Sequence, residues 1–157
     1  MEVKLLSDIP LQGTDVVMLD LDNTLYDYST RHNAALNKLA EEMSKKFSAS
    51  ADEIKELFQS CRKKTNQRLN GTAVSHSRLF YIQEMVEVLS GKTDTASIPF
   101  FHNVYWDTFI GSMHLFPDAI PFLQSLMESS YRSHTYSSPI HLWSETHVYY
   151  GPQYYQK

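Results

Sequence analysis

The sequence predicts an α/β protein in which a partial parallel core is interrupted by an inserted helical cap, and three observations predict it. Val16-Val17-Met18-Leu19 is a short apolar run that ends in two carboxylates, Asp20 and Asp22. Bounded by Gly13-Thr14-Asp15 before and by polar residues after, such a run reads as a buried strand. Four segments of helical period follow with no strand signal between them, which is an insert rather than the alternation of a doubly wound sheet. Leu115-Phe116-Pro117-Asp118 then resets the pattern and opens a last helix. The carboxylates therefore stand at the carboxyl end of the strand, the edge at which open α/β sheets bind ligands.

Bulk properties narrow the class. A chain of 157 residues holds one domain, or a small core with an inserted subdomain. With 42% hydrophobic and 20% charged residues it has the composition of a globular protein. A net charge of -4 gives no general attraction to phosphate backbones, so no nucleic acid is expected as a partner. Met1 to Asp8 lacks the apolar core of a signal peptide and no run is long enough to span a bilayer, so no membrane partner is expected and the expected location is cytoplasmic. A single cysteine, Cys61, makes no internal disulfide and falls on an apolar helix stripe, which reads as packing. Asn70-Gly71-Thr72 fits a glycosylation pattern but, with no secretory signal, reads as a turn.

The elements follow in order. Pro10 and Gly13 punctuate the lead-in to the strand. Leu36, Leu39, Met43 and Phe47 recur at spacings of three and four, predicting a helix over about Ser29 to Phe47. Ser50-Ala51-Asp52-Glu53 has the capping-box form, so a second helix starts there, with Ile54, Leu57, Phe58 and Cys61 inward and Arg62-Lys63-Lys64 as a solvated face. Asn70-Gly71 closes it. A third helix over about Ser77 to Leu89 turns Leu79, Ile82, Val86 and Leu89 inward. After a polar loop, Phe101, Val104, Tyr105, Thr108 and Phe109 predict a fourth helix, with Gly111 near its end. In the last helix Asp118 is the expected N-cap, Pro121 takes the third position, and Ile120, Leu123, Leu126 and Met127 face the core.

From Ser130 the character of the chain changes. Ser130 to Pro139 is mostly polar where a buried strand wants continuous Val, Ile and Leu. Six of the ten tyrosines lie in this tail with His134, His141 and His147, and no helical period organises them. The histidines have no spacing that supports a metal site strongly.

Asp20 and Asp22 admit three readings. One is a pair of polar residues at a strand-to-loop junction, where aspartate is common. A calcium loop fails, because the sixth position is Leu25 rather than glycine and the twelfth is Arg31 rather than glutamate. The third is phosphoryl transfer, with Asp20 attacking phosphorus to form an aspartyl-phosphate. Mg2+ then bridges the carboxylate and a phosphate oxygen, Asp22 serves as acid and later as base, and Thr24 orients the loop through its hydroxyl.

Four apolar residues followed by Asp20-Leu21-Asp22-Asn23-Thr24-Leu25-Tyr26 resemble the first motif of the haloacid dehalogenase (HAD) superfamily of phosphohydrolases. The Asn-Thr-Leu-Tyr ending is similar to its pyrimidine 5'-nucleotidase-like branch, and Leu115-Phe116-Pro117-Asp118-Ala119-Ile120 is similar to the superfamily's return to the core. The resemblance covers about residues 14 to 129. It implies that Asp20 is nucleophile and Mg2+ ligand, and that Asp22 is the acid/base and gives its backbone carbonyl to the metal. It implies a Rossmann-like parallel core and a phosphate-binding Ser or Thr at the end of the next strand, where counting places Ser137. The superfamily's later lysine and acidic pair have no counterpart: after Asp118 there are only Glu128, Glu145 and Lys157. A further βαβ unit takes about 30 residues or more. The tail cannot supply two, so the chain is expected to be truncated.

The expected organisation is an incomplete core of residues 1-27 and 114-138, a helical cap over 28-113 and an atypical tail over 139-157. The expected function is a Mg2+-dependent phosphomonoester hydrolase acting on a small phosphorylated substrate such as a nucleotide, with the insert closing over the site. Arg31, His32, His76 and Arg78 are the insert's candidate specificity residues, weighed against ordinary surface or packing roles. The rival expectation is a catalytically inactive, truncated form that acts by binding and self-associates through its incomplete core.

Overall fold

The computed structural model describes residues 16–128 and 132–135. In chain order these form strand β1 (Val16–Leu19), helices α1 (Tyr28–Phe47) and α2 (Ala51–Arg68), a 3-10 turn (Ala73–His76), helices α3 (Arg78–Ser90), α4 (Ser97–Gly111) and α5 (Ala119–Glu128), and strand β2 (Arg132–Thr135). They group into two compact units, one from the described parts of Met1–Tyr28 and His114–Lys157, the other from Ser29–Met113. No helix among the described residues is long and apolar enough to cross a membrane.

The expected α/β class with a partial Rossmann-like parallel core is corrected. The described residues are predominantly helical, and their strand structure is limited to β1 and β2, four residues each, paired in parallel with Val16 opposite Arg132 and Leu19 opposite Thr135. Such a pair is not a sheet layer. Parallel sheets need several apolar strands covered on both faces, and the Arg-Ser-His-Thr sequence of β2 offers no apolar side chain.

Helical packing dominates the larger unit. Helix α1 buries Ala35, Leu36, Leu39, Ala40 and Met43, a stripe of helical period. Helix α2 opens on a complete capping box: Ser50 Oγ accepts the Glu53 N–H at 3.2 Å, and Glu53 Oε2 accepts the Ser50 N–H at 2.7 Å. Ser50→Ala is therefore expected to lower unfolding stability by about 1 kcal/mol. Urea denaturation measures this, and an unchanged midpoint would show the cap to be worthless. Helix α2 buries Ile54, Phe58, Cys61 and Thr65, while Leu57 is only half-buried. Burial pushes the Cys61 thiol up to about 11, so it stays protonated and packs as a small apolar group.

Helix α3 is rotated from its expected face. It buries Tyr81, Ile82, Met85 and Val86, whereas Leu79 is exposed. The reason is aromatic: Tyr81 turns inward because its ring packs edge-on to Phe58 at 5.8 Å, and its hydroxyl lies 3.0 Å from both the Ser75 carbonyl and Asn66 Oδ1. Gly91 ends α3 in the left-handed conformation (φ +69°), its N–H donating to the Glu87 carbonyl at 2.9 Å. Helix α4 buries Phe101, Tyr105 and Phe109, one residue per turn. Ring contacts close the bundle, since α1 meets α2 through His32 and Phe58 at 5.9 Å and meets α4 through Phe47 and Phe101 at 5.8 Å.

In the smaller unit, α5 starts at Ala119, so Pro121 is its third residue and removes no intrahelical hydrogen bond. It buries Ala119, Phe122, Leu123 and Leu126. The expected inward positions Ile120 and Met127 are instead exposed, at 46% and 66%.

Candidate functional site

The chain leaves β1 at Leu19, which is buried, and the next residue, Asp20, is exposed. Asp20, Asp22 and Thr24 then lie on one tight turn. The Leu21 carbonyl accepts the N–H groups of Thr24 at 3.2 Å and Leu25 at 3.0 Å, and the Asn23 N–H donates to the Tyr26 carbonyl at 2.9 Å. Asn23 sits in the left-handed region (φ +59°), which asparagine tolerates better than most residues. Its Oδ1 accepts the Tyr28 N–H at 3.1 Å, satisfying one of the orphan donors at the start of α1.

Leu25 and Tyr26, 3% and 6% exposed, anchor the turn from below. The Leu25 carbonyl accepts the Phe116 N–H at 2.8 Å, and Tyr26 forms a bridge with Leu115. This ties the turn to the segment that opens α5. The Tyr26 hydroxyl donates to Asp22 Oδ1. Burial, then the Asp22 hydrogen bond and carboxylate charge, hold that phenol well above its ordinary value, so it stays a donor at any physiological pH. The half-buried Asp22 carboxylate is thereby fixed in rotation, whereas Asp20 projects without a hydrogen bond or ion pair among the described residues.

Tyr26 and Asn23 are the two positions of this turn whose roles sequence reasoning missed. Asparagine in a loop is a signal for a left-handed residue, but nothing in the spacing pointed the Tyr26 hydroxyl at Asp22. Thr24 is half-buried in the turn, and Ser137 lies outside the described residues. Among the described residues, no group of three or more His, Cys, Asp or Glu side chains could hold a metal ion. Two carboxylates still suit Mg2+, which is bound through one or two carboxylates plus phosphate oxygens and keeps several waters.

The candidate specificity residues fall in the helical unit. His32 Nδ1 is 2.7 Å from the Tyr105 hydroxyl. Burial, and then the Arg78 and Arg62 charges, lower its pKa to about 4. His76 is lowered by the same three causes. Arg78 lies over the Trp106 ring at 5.7 Å and donates through Nη1 to the His76 carbonyl at 3.2 Å. Folding thus holds His32 neutral, while the unfolded chain protonates it near 6.5. The stabilisation is complete above pH 6.5 and is lost as pH falls from 6.5 toward 4, where the unfolded state binds more protons. Unfolding free energy is expected to drop by on the order of 2 kcal/mol across that window through this group. Denaturation of wild type and His32→Gln at pH 7 and 4.5 checks it, and equal pH slopes for both would refute the assignment.

No family model matches the chain. It is similar to a curated protein of Halopiger xanaduensis, ribulose-1,5-bisphosphate 5-phosphatase, at 31% identity over 115 residues, covering 71% of this chain. The chain spans about half, 47%, of the length of that relative.

Proposed function

We propose that this chain is a phosphohydrolase of the haloacid dehalogenase type that acts on a phosphorylated sugar through Asp20. The observation that carries the reading is the turn after β1, where an exposed carboxylate precedes by two residues a second one held by the Tyr26 hydroxyl. Such a pair divides the labour of a nucleophile that must be accessible and an acid/base that must be oriented. The similarity to a sugar-bisphosphate phosphatase supports a phosphorylated sugar over the nucleotide suggested by the motif's ending.

In this mechanism Asp20 forms a bond to phosphorus as the ester P–O bond breaks, and Asp22 gives its proton to the departing sugar oxygen. Water then attacks the aspartyl-phosphate, passing a proton back to Asp22 and releasing inorganic phosphate and free Asp20. Mg2+, with Asp20 and the Asp22 backbone carbonyl as its protein ligands, would offset the charge of two anions brought together. Exposure of Asp20 lets a phosphate approach, and the buried Leu25 and Tyr26 keep the turn from shifting as charge moves.

Phosphate release from a pentose phosphate, assayed with the full chain, is expected to require Mg2+, to stop on addition of EDTA and to return with excess Mg2+. Release that continues unchanged in EDTA would overturn the metal assignment. Failure to release phosphate from any sugar phosphate with Mg2+ present would overturn the hydrolase reading in favour of a noncatalytic binding role.

A further inference from the structure

We propose that the Asn70-Gly71 turn at the end of α2 is a site of spontaneous deamidation, at which the folded chain converts Asn70 to aspartate or isoaspartate. The turn bears the glycosylation pattern Asn70-Gly71-Thr72, and neither the hydrolase reading nor the helical packing makes use of it.

The reaction is internal to the turn and consumes only water. The Gly71 amide nitrogen gives its proton to hydroxide and attacks Asn70 Cγ. A bond forms between that nitrogen and Cγ, the Cγ–Nδ2 bond breaks, and ammonia leaves behind a five-membered imide. Water then opens the ring. Breaking the new bond to Cγ yields aspartate, and breaking the original peptide bond yields isoaspartate, in which the backbone runs through the former side chain. No group is oxidised or reduced.

Such a reaction needs an accessible amide, a free attacking N–H and room for the peptide to rotate. Asn70 and Gly71 are both exposed. Neither the Asn70 side chain nor the Gly71 N–H makes a hydrogen bond among the described residues. Gly71 lies in the left-handed region (φ +79°), and a Cβ built on it would meet nothing within 4 Å, so its peptide can swing toward the Asn70 side chain without displacing a neighbour. The flanks are meanwhile secured. The Leu69 N–H donates to the Thr65 carbonyl at 2.9 Å, and the Leu69 carbonyl accepts the Thr72 N–H at 3.0 Å and the Thr72 hydroxyl at 2.6 Å. The two reacting residues thus project from a closed turn, and α2 need not unwind for them to meet.

Other asparagines lack this combination. Asn23 is also in a turn, but the next nitrogen is occupied, since the Thr24 N–H donates to the Leu21 carbonyl at 3.2 Å. The Asn23 amide is held as well, its Oδ1 accepting the Tyr28 N–H at 3.1 Å, and the β-branched Thr24 crowds the approach. Asn103 is exposed, but both it and Val104 lie inside α4. At Asn70 the product places a carboxylate just past the C-terminus of α2, the end of a helix that disfavours negative charge.

The test is peptide mapping of the full chain after incubation at pH 6 and pH 8, both folded and in urea. Trypsin cleavage after Arg68 and Arg78 isolates Asn70 in residues 69–78, and Asn23 is read from residues 5–31. In the folded chain Asn70 is expected to deamidate at least about tenfold faster than Asn23, whose reaction must first open a backbone hydrogen bond. It should proceed faster at pH 8 than at pH 6. Urea should change the Asn70 rate by less than about threefold, under the worth of one hydrogen bond. Asn70→Ser, at an exposed position, should remove the main acidic species that ion exchange resolves in aged wild type. Persistence of that species in the variant, an Asn70 rate no greater than that of Asn23, or acceleration of Asn70 in urea by threefold or more would overturn the proposal.

Discussion

Asp20→Asn is expected to reduce phosphate release from a sugar phosphate by about a thousandfold or more while leaving the unfolding curve unchanged. The size follows from the step removed: an amide cannot displace a sugar oxygen from phosphorus, and loss of a covalent nucleophile leaves only binding and electrostatic assistance. The unchanged stability follows from Asp20 being exposed and making no hydrogen bond or ion pair among the described residues. Acid-quenched wild type incubated with substrate and Mg2+ should carry a protein-bound phosphate that the variant lacks. Activity within tenfold of wild type, or labelling of the variant, would rule out Asp20 as nucleophile.

Phe58→Ala should have the largest effect on stability, a loss of about 3–5 kcal/mol. Phe58 is 1% exposed, stacks on Tyr105 at 6.3 Å with planes 14° apart, and meets Tyr81 edge-on and the His32 ring at 5.9 Å. Removing the ring therefore opens a cavity where α1, α2, α3 and α4 converge, and the rigid rings around it cannot collapse to fill it. Val88→Ala, at a side chain 55% exposed on α3, should change stability by no more than about 0.5 kcal/mol. Urea denaturation of both variants checks the contrast. A Phe58→Ala loss below 1 kcal/mol would mean that the aromatic cluster does not organise the helical unit.

These two residues mark different degrees of legibility. Phe58 stood on an apolar stripe of helical period, and α2 buries it together with Ile54 and Cys61. The period alone did not orient α3, where Leu79 satisfies the apolar pattern as well as Tyr81 does but is exposed. Likewise Ile120 and Met127 share the α5 pattern with Leu123 and Leu126 yet face outward. A single helix offers several apolar arcs, and the neighbour it packs against selects one. The fold class was misjudged for a related reason. The apolar Val16–Leu19 is a strand, but an α/β core needs partners of the same character, and β2 brings only Arg-Ser-His-Thr.

The site divides along the same line. That Asp20, Asp22 and Thr24 share one turn follows from their spacing, whereas the Tyr26 hydroxyl on Asp22 and the left-handed Asn23 depend on how the turn is wound over buried Leu25. Arg78 joins the start of α3 to the 3-10 turn through the His76 carbonyl and to α4 through the Trp106 ring, and no local pattern anticipates it.

By itself the sequence determined the helices, the Ser50–Glu53 cap and the carboxylate pair after β1, because hydrogen bonding within a turn and apolar period along a helix act between residues a few positions apart. Only the tertiary structure decided which helix faces are buried and which hydroxyl holds Asp22. The helix faces rest on contacts between segments distant in the chain, whose energies come from shared burial, and the local Tyr26–Asp22 bond depends on a turn that Leu25 and Tyr26 tie to the distant segment opening α5.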